Sequence, residues 1–500
     1  MADMQNSTQT DSPTRFGHAL SIVGTLVSRL AMLAVLILLP KDIGLSDYGI
    51  FALVITLGEI IEMTGSNWYR LLLVRQTVNA NNPHSSTSDE APAGFTLLSL
   101  VGLALVVSLV ASAIFSPIVM KGTNGAFSAA VACYIVAFVS FRLLISLLQA
   151  QGRQNLIGGV ELLRGILMLT FVMGAVKFGE ANFLFASFGL ILATIVTTVV
   201  VFPFIRKGLR EILMQRLEAG SFKAIGIPII IATVLTYQIG WLDRVVIQHW
   251  LGPESVGLYV AVMAIARQPV DLFLNALNSQ TFPILMTRND SSDEAASRRM
   301  TGVLLSLCII GFGVAAAIIS LSDALVQFAL PAFERPTALS IVPLVSLGSL
   351  ALGIKHFVFD NIFHAYGRNW IMLRWFAVVA CGTLILSMLL VPRFGPIGAA
   401  IAFASGSFGG LASSIILSHR FCPMHWPVQA LLGVFASAVL ASLAGWSCSS
   451  FDAAPWIRLG AGSATFGLTY LAALTVILNF RIGAFLSAPW NIDGLRGAAS

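Results

Sequence analysis

The chain has 500 residues, 57% of them hydrophobic and only 10% charged, with a mean hydropathy of +0.87. Soluble domains carry roughly a quarter charged residues, so this balance excludes a soluble catalytic domain and points to a polytopic membrane protein. The formal net charge of +6 is expected from basic residues on cytoplasmic loops, not from a nucleic-acid partner.

In chain order, residues 1–15 form a polar tail expected in the cytoplasm. The tail lacks the basic head and small-residue cleavage site of a signal peptide, so the first apolar run is expected to stay as a span. A bilayer core of roughly 30 Å needs about 20 apolar residues per helix. Hydropathy places about fourteen such spans along the chain. They lie at 16–39, 48–67, 95–119, 125–148, 156–176, 182–205, 222–247, 254–283, 300–321, 337–363, 369–391, 395–418, 427–447 and 457–479. The expected class is an all-α polytopic membrane protein.

Two polar stretches interrupt the pattern. Residues 79–92, NANNPHSSTSDEAP, read as a flexible cytoplasmic loop. Residues 206–221 form a basic amphipathic linker expected to lie along the cytoplasmic membrane surface. With the N-terminus inside, about sixteen Lys and Arg fall on the cytoplasmic side, Arg70, Arg75, Arg153 and Arg216 among them, against about six opposite. An even number of spans returns the tail at 480–500 to the cytoplasm. Cys133, Cys308, Cys381, Cys422 and Cys448 show no metal or disulfide spacing and read as small packing residues. No cofactor or metal is expected.

The chain repeats itself. Gly44, Gly49 and Phe51 match Gly252, Gly257 and Tyr259 at an offset of 208 residues (252 − 44). QAQGRQN at 149–155 parallels HAYGRNW at 364–370, and KFG at 177–179 parallels RFG at 393–395. Six spans separate the copies, an even number, so both halves share one membrane orientation in a parallel repeat. Residues 16–205 form one six-helix lobe and 222–418 the other, related by a pseudo-twofold axis along the membrane normal. The helix pair at 427–479 is an appendage.

Charge inside the spans is the candidate chemistry. A mid-bilayer charge costs at least about 2.5–3.5 kcal/mol, so each needs a partner or a wet cavity. Arg29 lies mid-span, Glu59 and Glu62 share a helix face, Arg142 follows in the fourth span, and Glu161 with Arg164 makes an i,i+3 pair. The second half offers Asp243 with Arg244, Arg267 with Asp271, and the cluster Lys355, His356 and Asp360. The repeat sets Glu59 on Arg267, and Arg142 beside Lys355. Cations from both lobes are thus expected at a shared cleft suited to a phosphate-bearing substrate.

Plainer readings stand beside these. Asp243 and Arg244 read equally as an end-of-span pair that snorkels. Arg267–Asp271 and Glu161–Arg164 read also as self-neutralising pairs, and Arg164 and Arg374 as positive-inside anchors. Arg29 and Lys355 are deep, with no opposite charge within a turn. Glu59, Glu62, Asp271 and Asp360 are candidates for ion coupling, and His356 reads as a proton relay or a satisfied histidine. No Walker loop, HExxH or GxSxG is present. An enzyme is not expected.

LSDYGIFALV at 45–54, LLLVRQ at 71–76, WLDRVVIQHWLGPESVGLYVAV at 241–262, Pro269 and TFPIL at 281–285 carry a resemblance. With the paired GR and FG blocks, they resemble the polysaccharide transporters of the multidrug/oligosaccharidyl-lipid/polysaccharide exporter superfamily. The resemblance runs over roughly 16–420 and implies a V-shaped, alternating-access transporter of two six-helix lobes. Its implied substrate is an undecaprenyl-diphosphate-linked oligosaccharide repeat unit for O-antigen, exopolysaccharide or capsule synthesis. The implied setting is the bacterial inner membrane, with membrane lipids and a polysaccharide polymerase and export machinery as partners. By location, Arg29, Arg142, Arg244, Arg267 and Lys355 are the candidates for a cationic lumen that takes the pyrophosphate. A lipid II flippase and a multidrug (MATE-type) drug/cation antiporter share the implied fold and remain alternatives. A membrane-embedded glycosyltransferase or ligase would need a large outer loop, and the outer loops here are short.

Overall fold

The computed structural model describes residues 15–80, 94–122, 125–205, 216–218, 226–238, 241–286, 293–422, 424, 426–449 and 454–478. These are helical almost throughout, as composition and hydropathy require. In lipid, each backbone N–H and C=O must find its partner within the chain, and a helix meets that demand segment by segment. Ten helices among the described residues are long and apolar enough to cross a membrane, and a bent pair, Pro253–Ala266 with Gln268–Ser279, is an eleventh. The other three expected spans, 16–39, 48–67 and the described part of 222–247, fall on segments outside those eleven.

The helices fall into two compact units, Met1–Thr236 and Tyr237–Ser500. In the first, α1 (Arg15–Ala80) is two helical arms that meet at Gly44, where φ is 78° and ψ 160°. Pro40, four residues earlier, has no N–H to give the Leu36 carbonyl. The Tyr48 hydroxyl donates to that carbonyl instead, at 3.0 Å, from a fully buried position. One proline, one glycine and one tyrosine thus explain why this helical stretch divides into two arms.

Next come α2 (Leu97–Val119), α3 (Gly125–Ala150), α4 (Gln154–Phe178) and α5 (Phe183–Ile205). In α2, Ala104, Ser108, Ser112 and Ser116 recur every four residues and are buried, whereas Leu103, Val107, Val110 and Ile114 are exposed. Lipid tails are as apolar as leucine, so small residues that allow close backbone approach decide which face packs. A Cβ on Gly65 of α1 would stand 2.5 Å from Ser108 Oγ. Trp68, Tyr69 and Leu73 of α1 join Leu97, Phe141, Leu148, Val160 and Ile205 in this unit's core.

The only strands among the described residues are β1 (Gly94–Thr96) and β2 (Arg216–Glu218). They pair antiparallel, Phe95 opposite Leu217. β2 lies within the expected amphipathic linker. The rest of that linker, the tail at 1–14, the loop at 81–93 and the tail at 480–500 lie outside the described residues. α6 (Ile227–Gln238) runs through the boundary of the first unit.

The second unit holds α7 (Leu242–Leu251), α8 (Pro253–Ala266), α9 (Gln268–Met286), α10 (Asp293–Ser320) and α11 (Ser322–Ala329). α12 (Arg335–Ile354) continues through a turn of π-helix, Lys355–Phe359, into α13 (Asp360–Ala365). α14 (Asn369–Phe394), α15 (Pro396–Ser418), α16 (Val428–Ser449) and α17 (Pro455–Leu478) complete it. The repeat is visible in the backbone. Gly252 joins α7 to α8 with φ 86° and ψ 179°, close to Gly44, while Gly152 and Gly367 share φ 69° and 64°.

α16 and α17, expected as an appendage, are built into this unit. Leu305 and Ile309 of α10 share a core with Val434, Ala438, Phe466 and Leu474. The Tyr470 hydroxyl donates to the Ile309 carbonyl at 2.6 Å, and Arg458 Nη1 lies 3.1 Å from Asp323 Oδ2 in α11.

Candidate functional site

The first unit carries a half-open cavity of about 420 Å3 lined by α1, α3, α4 and α5. Glu59, Glu62, Ser66 and Arg70 follow one another at helical spacing down one face of the second arm of α1. From α3, Arg142 reaches two of them: Nη2 pairs with Glu59 Oε1, and Nη1 lies 3.0 Å from Glu62 Oε2. Glu62 is fully buried; Ser66 Oγ donates to its Oε1, and Arg70 Nη2 stands 3.6 Å from the same oxygen. The Tyr134 hydroxyl donates to Glu59 Oε2 at 3.3 Å, its ring stacked on Phe138 with centroids 4.0 Å apart. Removing one partner of such a buried pair leaves a charge that lipid and protein cannot solvate.

On the cavity's α4 wall, Glu161 and Arg164 face one another at 3.5 Å. Arg164 Nη2 also reaches Ser28 Oγ at 3.4 Å, and its guanidinium lies over the rings of Phe138 and Phe141, 5.9 and 4.8 Å from their centroids. α1 and α4 are close here because Gly165 has no side chain: a Cβ there would stand 2.7 Å from Ser28 Cα.

The second unit carries a separate cluster on its π-turn. Lys355 Nζ lies 2.6 Å from Asp360 Oδ2, and His356 Nδ1 lies 2.8 Å from the same oxygen. Lys355 therefore has an opposite charge after all, five residues on. An α-helix would turn that residue away, but the π-turn's i→i+5 repeat brings it onto the same face. Lys355 is buried, its ammonium 4.3 Å from the Phe376 centroid and its stem 3.2 Å from where a Gly410 Cβ would sit. Ser414 Oγ approaches the other Asp360 oxygen at 3.5 Å, and Asn361 donates to Asn278 Oδ1 at 3.2 Å.

The remaining charges divide differently from their order in the chain. Asp243 accepts from the Tyr259 hydroxyl at 2.6 Å and from the Arg244 backbone N–H at 2.9 Å. The Arg244 guanidinium lies 4.5 Å from the Trp241 ring centroid. Arg267 Nε pairs with Asp271 Oδ2 at 3.0 Å within one helical turn and stacks over Phe403. Arg29 is exposed on α1 and makes no ion pair among the described residues.

Arg70 departs from expectation. Read as a cytoplasmic loop cation, it lies within α1, buried, two turns beyond Glu62. That eight-residue spacing was readable as one helix face. Tyr134, Ser66 and Ser414 carried no signal, because a polar residue in an apolar run reads as packing until its partner is located. Among the described residues no group of three or more His, Cys, Asp or Glu is placed to hold a metal ion.

Over residues 42–332, more than half of the chain, the sequence matches the family described as polysaccharide biosynthesis protein. It is 23% identical over 452 residues to the probable flippase AglR of Haloferax volcanii, covering 88% of this chain and 91% of that protein. It is 24% identical over 245 residues to the uncharacterized membrane protein MJ1068 of Methanocaldococcus jannaschii, an alignment that spans 47% of each. The fold is that of the lipid II flippase MurJ in its inward closed conformation, with a TM-score of 0.71 at 14% identity, over 92% of this chain and 99% of that one. The MATE multidrug transporter DinF-BH shares it at a TM-score of 0.56 and 14% identity, over 82% and 96%. The resemblance read from the sequence is borne out: this multi-pass, non-enzymatic membrane transporter belongs to the polysaccharide biosynthesis protein family.

Proposed function

We propose that the protein is a secondary transporter that carries an undecaprenyl-diphosphate-linked oligosaccharide repeat unit across the bacterial inner membrane by alternating access, for O-antigen, exopolysaccharide or capsule synthesis. The observation that carries this reading is the ionic cavity of the first unit. Arg70, Arg142 and Arg164 line it together with Glu59, Glu161 and the rings of Tyr134, Phe138 and Phe141. A lipid-linked saccharide needs both kinds of surface: guanidinium forks for phosphate oxygens and aromatic faces for sugar and lipid. The family match and a relative named as a probable flippase support the same substrate class. Arg29, Arg142, Arg244, Arg267 and Lys355 are the proposed lumen cations. Glu59, Glu62, Asp271 and Asp360 are the proposed ion-coupling carboxylates. Both termini face the cytoplasm, and the polymerase and export machinery act on the product.

The fold shared with MurJ favours lipid II as the second reading, and the shared fold of DinF-BH keeps an organic cation as a third. Deletion of the gene separates them. The proposal expects surface polysaccharide to disappear and lipid-linked repeat units to accumulate with the inner leaflet, both restored by the intact chain. Accumulated lipid II with normal polysaccharide would move the assignment to the second reading. Altered efflux of a cationic dye with both lipid pools unchanged would move it to the third.

A further inference from the structure

The arginines of the first unit's cavity differ in how fully their charge is already used. Arg142 is held between two carboxylates, Glu59 and Glu62, with Nη1 3.0 Å from Glu62. Arg70 faces Glu62 and donates from Nε to the Ser66 carbonyl at 3.4 Å. Arg164 is different. Its nearest acceptors among the described residues are Ser28 Oγ at 3.4 Å and Glu161 Oε2 at 3.5 Å, both at the long limit of useful contact. Its Nε is buried with no hydrogen-bond partner there. That Nε has no accessible surface, so a ligand oxygen would be taken by the outer guanidinium nitrogens, whose contacts to Ser28 and Glu161 are long.

The setting of Arg164 fits a ligand more than a structural cation. The rings of Phe138 and Phe141, one turn apart on α3, lie within cation–π range of the guanidinium. The close approach at Gly165 and Ser28 fixes α4 against α1 beside it. Arg164 lines a cavity of about 420 Å3, room for a diphosphate headgroup with part of what it carries. Glu161 is the counter-charge, 19% exposed on the same wall and held among the described residues by that 3.5 Å contact.

We infer that Arg164 is the anion ligand of this cavity, taking phosphate oxygens of a diphosphate-bearing amphiphile on its free donors while Glu161 tunes the affinity by competing for the same guanidinium. Arg142, among the proposed lumen cations, then has its charge largely taken up by Glu59 and Glu62 and is secondary to Arg164 as a ligand. This rests on the reading of the substrate as a lipid-linked diphosphate.

The test uses the full-length purified chain with two probes, farnesyl diphosphate and inorganic pyrophosphate, and farnesol as the uncharged control. Dissociation constants are measured for wild type, Arg164→Ala, Arg164→Lys and Glu161→Gln, each checked for a sharp melting transition. Arg164→Ala is expected to weaken both anions at least about tenfold, the scale of a lost charge-assisted fork, and to leave farnesol unchanged. Arg164→Lys keeps the charge but loses the fork, so it falls between. Glu161→Gln is expected to tighten both anions severalfold, which a purely structural role for Arg164 would not produce. Tighter binding of farnesyl diphosphate than pyrophosphate identifies the lipid-borne form; equal affinity identifies the anion alone, and both support the site. Folded Arg164→Ala that binds like wild type, or Glu161→Gln that binds more weakly, overturns the assignment. Wild type that binds neither anion overturns it too, and the polysaccharide phenotype of the deletion then judges the transport reading independently.

Discussion

Gly44 and Gly252, 208 positions apart (252 − 44), hold the same backbone conformation, with φ of 78° and 86° and ψ of 160° and 179°. That region of φ/ψ space is closed to side-chain-bearing residues whatever the surrounding room, because Cβ meets the residue's own backbone. Nothing lies within 4 Å of a Cβ built at either site, so the cost of replacement isolates backbone strain. Gly44→Ala and Gly252→Ala are each expected to cost about 1–3 kcal/mol, in similar amounts. Melting of the purified variants checks this. A loss at one site and none at the other would break the equivalence of the two joints.

Arg142 and Glu62 set a second expectation. Arg142→Ala leaves Glu59 and Glu62 facing each other in a buried space, and breaking such a pair costs about 3–5 kcal/mol. The triple change Arg142→Met, Glu59→Gln, Glu62→Gln removes these three charges but also the Glu62 partner of Arg70, and is expected to recover part of that loss. Melting temperatures and yields of folded protein report both. If Arg142→Ala alone melts like wild type, the cluster is not a structural ion network.

Much of this was legible in the sequence, and the part that was not has a definable cause. Apolar run length located the long described helices, because the bilayer imposes length and lipid removes the choice between helix and loop. The matched glycines, Gly44 with Gly252 and Gly152 with Gly367, stand where φ is positive, a region that favours glycine. Glu59, Glu62 and Arg142 were recognisable as charges needing partners, yet their pairing was not, because it depends on how α1 faces α3. Lys355 was misjudged for a local reason. Helical counting at 3.6 residues per turn places Asp360 off-face, and the π-turn that brings it back leaves no mark in composition. Arg164 reads as an anchor from its depth in the chain, and the length of its contacts to Ser28 and Glu161 leaves no mark in the sequence.

The Lys355–Asp360 contact allows structure and transport to be separated. Asp360→Asn alone strands a buried ammonium and is expected to lower stability by about 3 kcal/mol or more. Lys355→Met with Asp360→Asn removes both charges and is expected to restore the folded yield. If Asp360 couples an ion to transport, the stable double variant still fails to restore surface polysaccharide in the deletion strain. Full complementation by that variant would assign the cluster to folding alone.

Tyr470 and Ile309 test whether the last helix pair belongs to the second unit's fold. Tyr470→Phe removes a buried 2.6 Å hydrogen bond and is expected to cost about 1 kcal/mol. Gly313→Val is expected to cost more, because even a Cβ there would stand 2.7 Å from the Tyr470 ring. Both effects should appear in the single main melting transition if α16 and α17 unfold with α10. A separate low-temperature transition that alone responds to the two variants would make the pair an independent appendage.

Glu334, in the turn between α11 and α12, gives a pH prediction outside the membrane-spanning helices. Its carboxyl is raised above the ordinary value of 4.5, first by partial burial and second by the like charge of Glu254. A raised carboxyl means the folded chain keeps a proton that the unfolded chain has released. Stability therefore falls as pH rises through the window that opens near 4.5, and the penalty is fully present above the folded value. Glu334→Gln removes the ionisation, so it is expected to melt higher than wild type at about pH 7 and equally at about pH 4. Because the side chain is partly exposed, the gain is expected to be small and to shrink in high salt only to the extent that Glu254 supplies it. Glu254→Gln should reproduce the smaller, salt-sensitive share. A gain for Glu334→Gln that persists unchanged at about pH 4 would show that the side chain acts by its shape and not its charge.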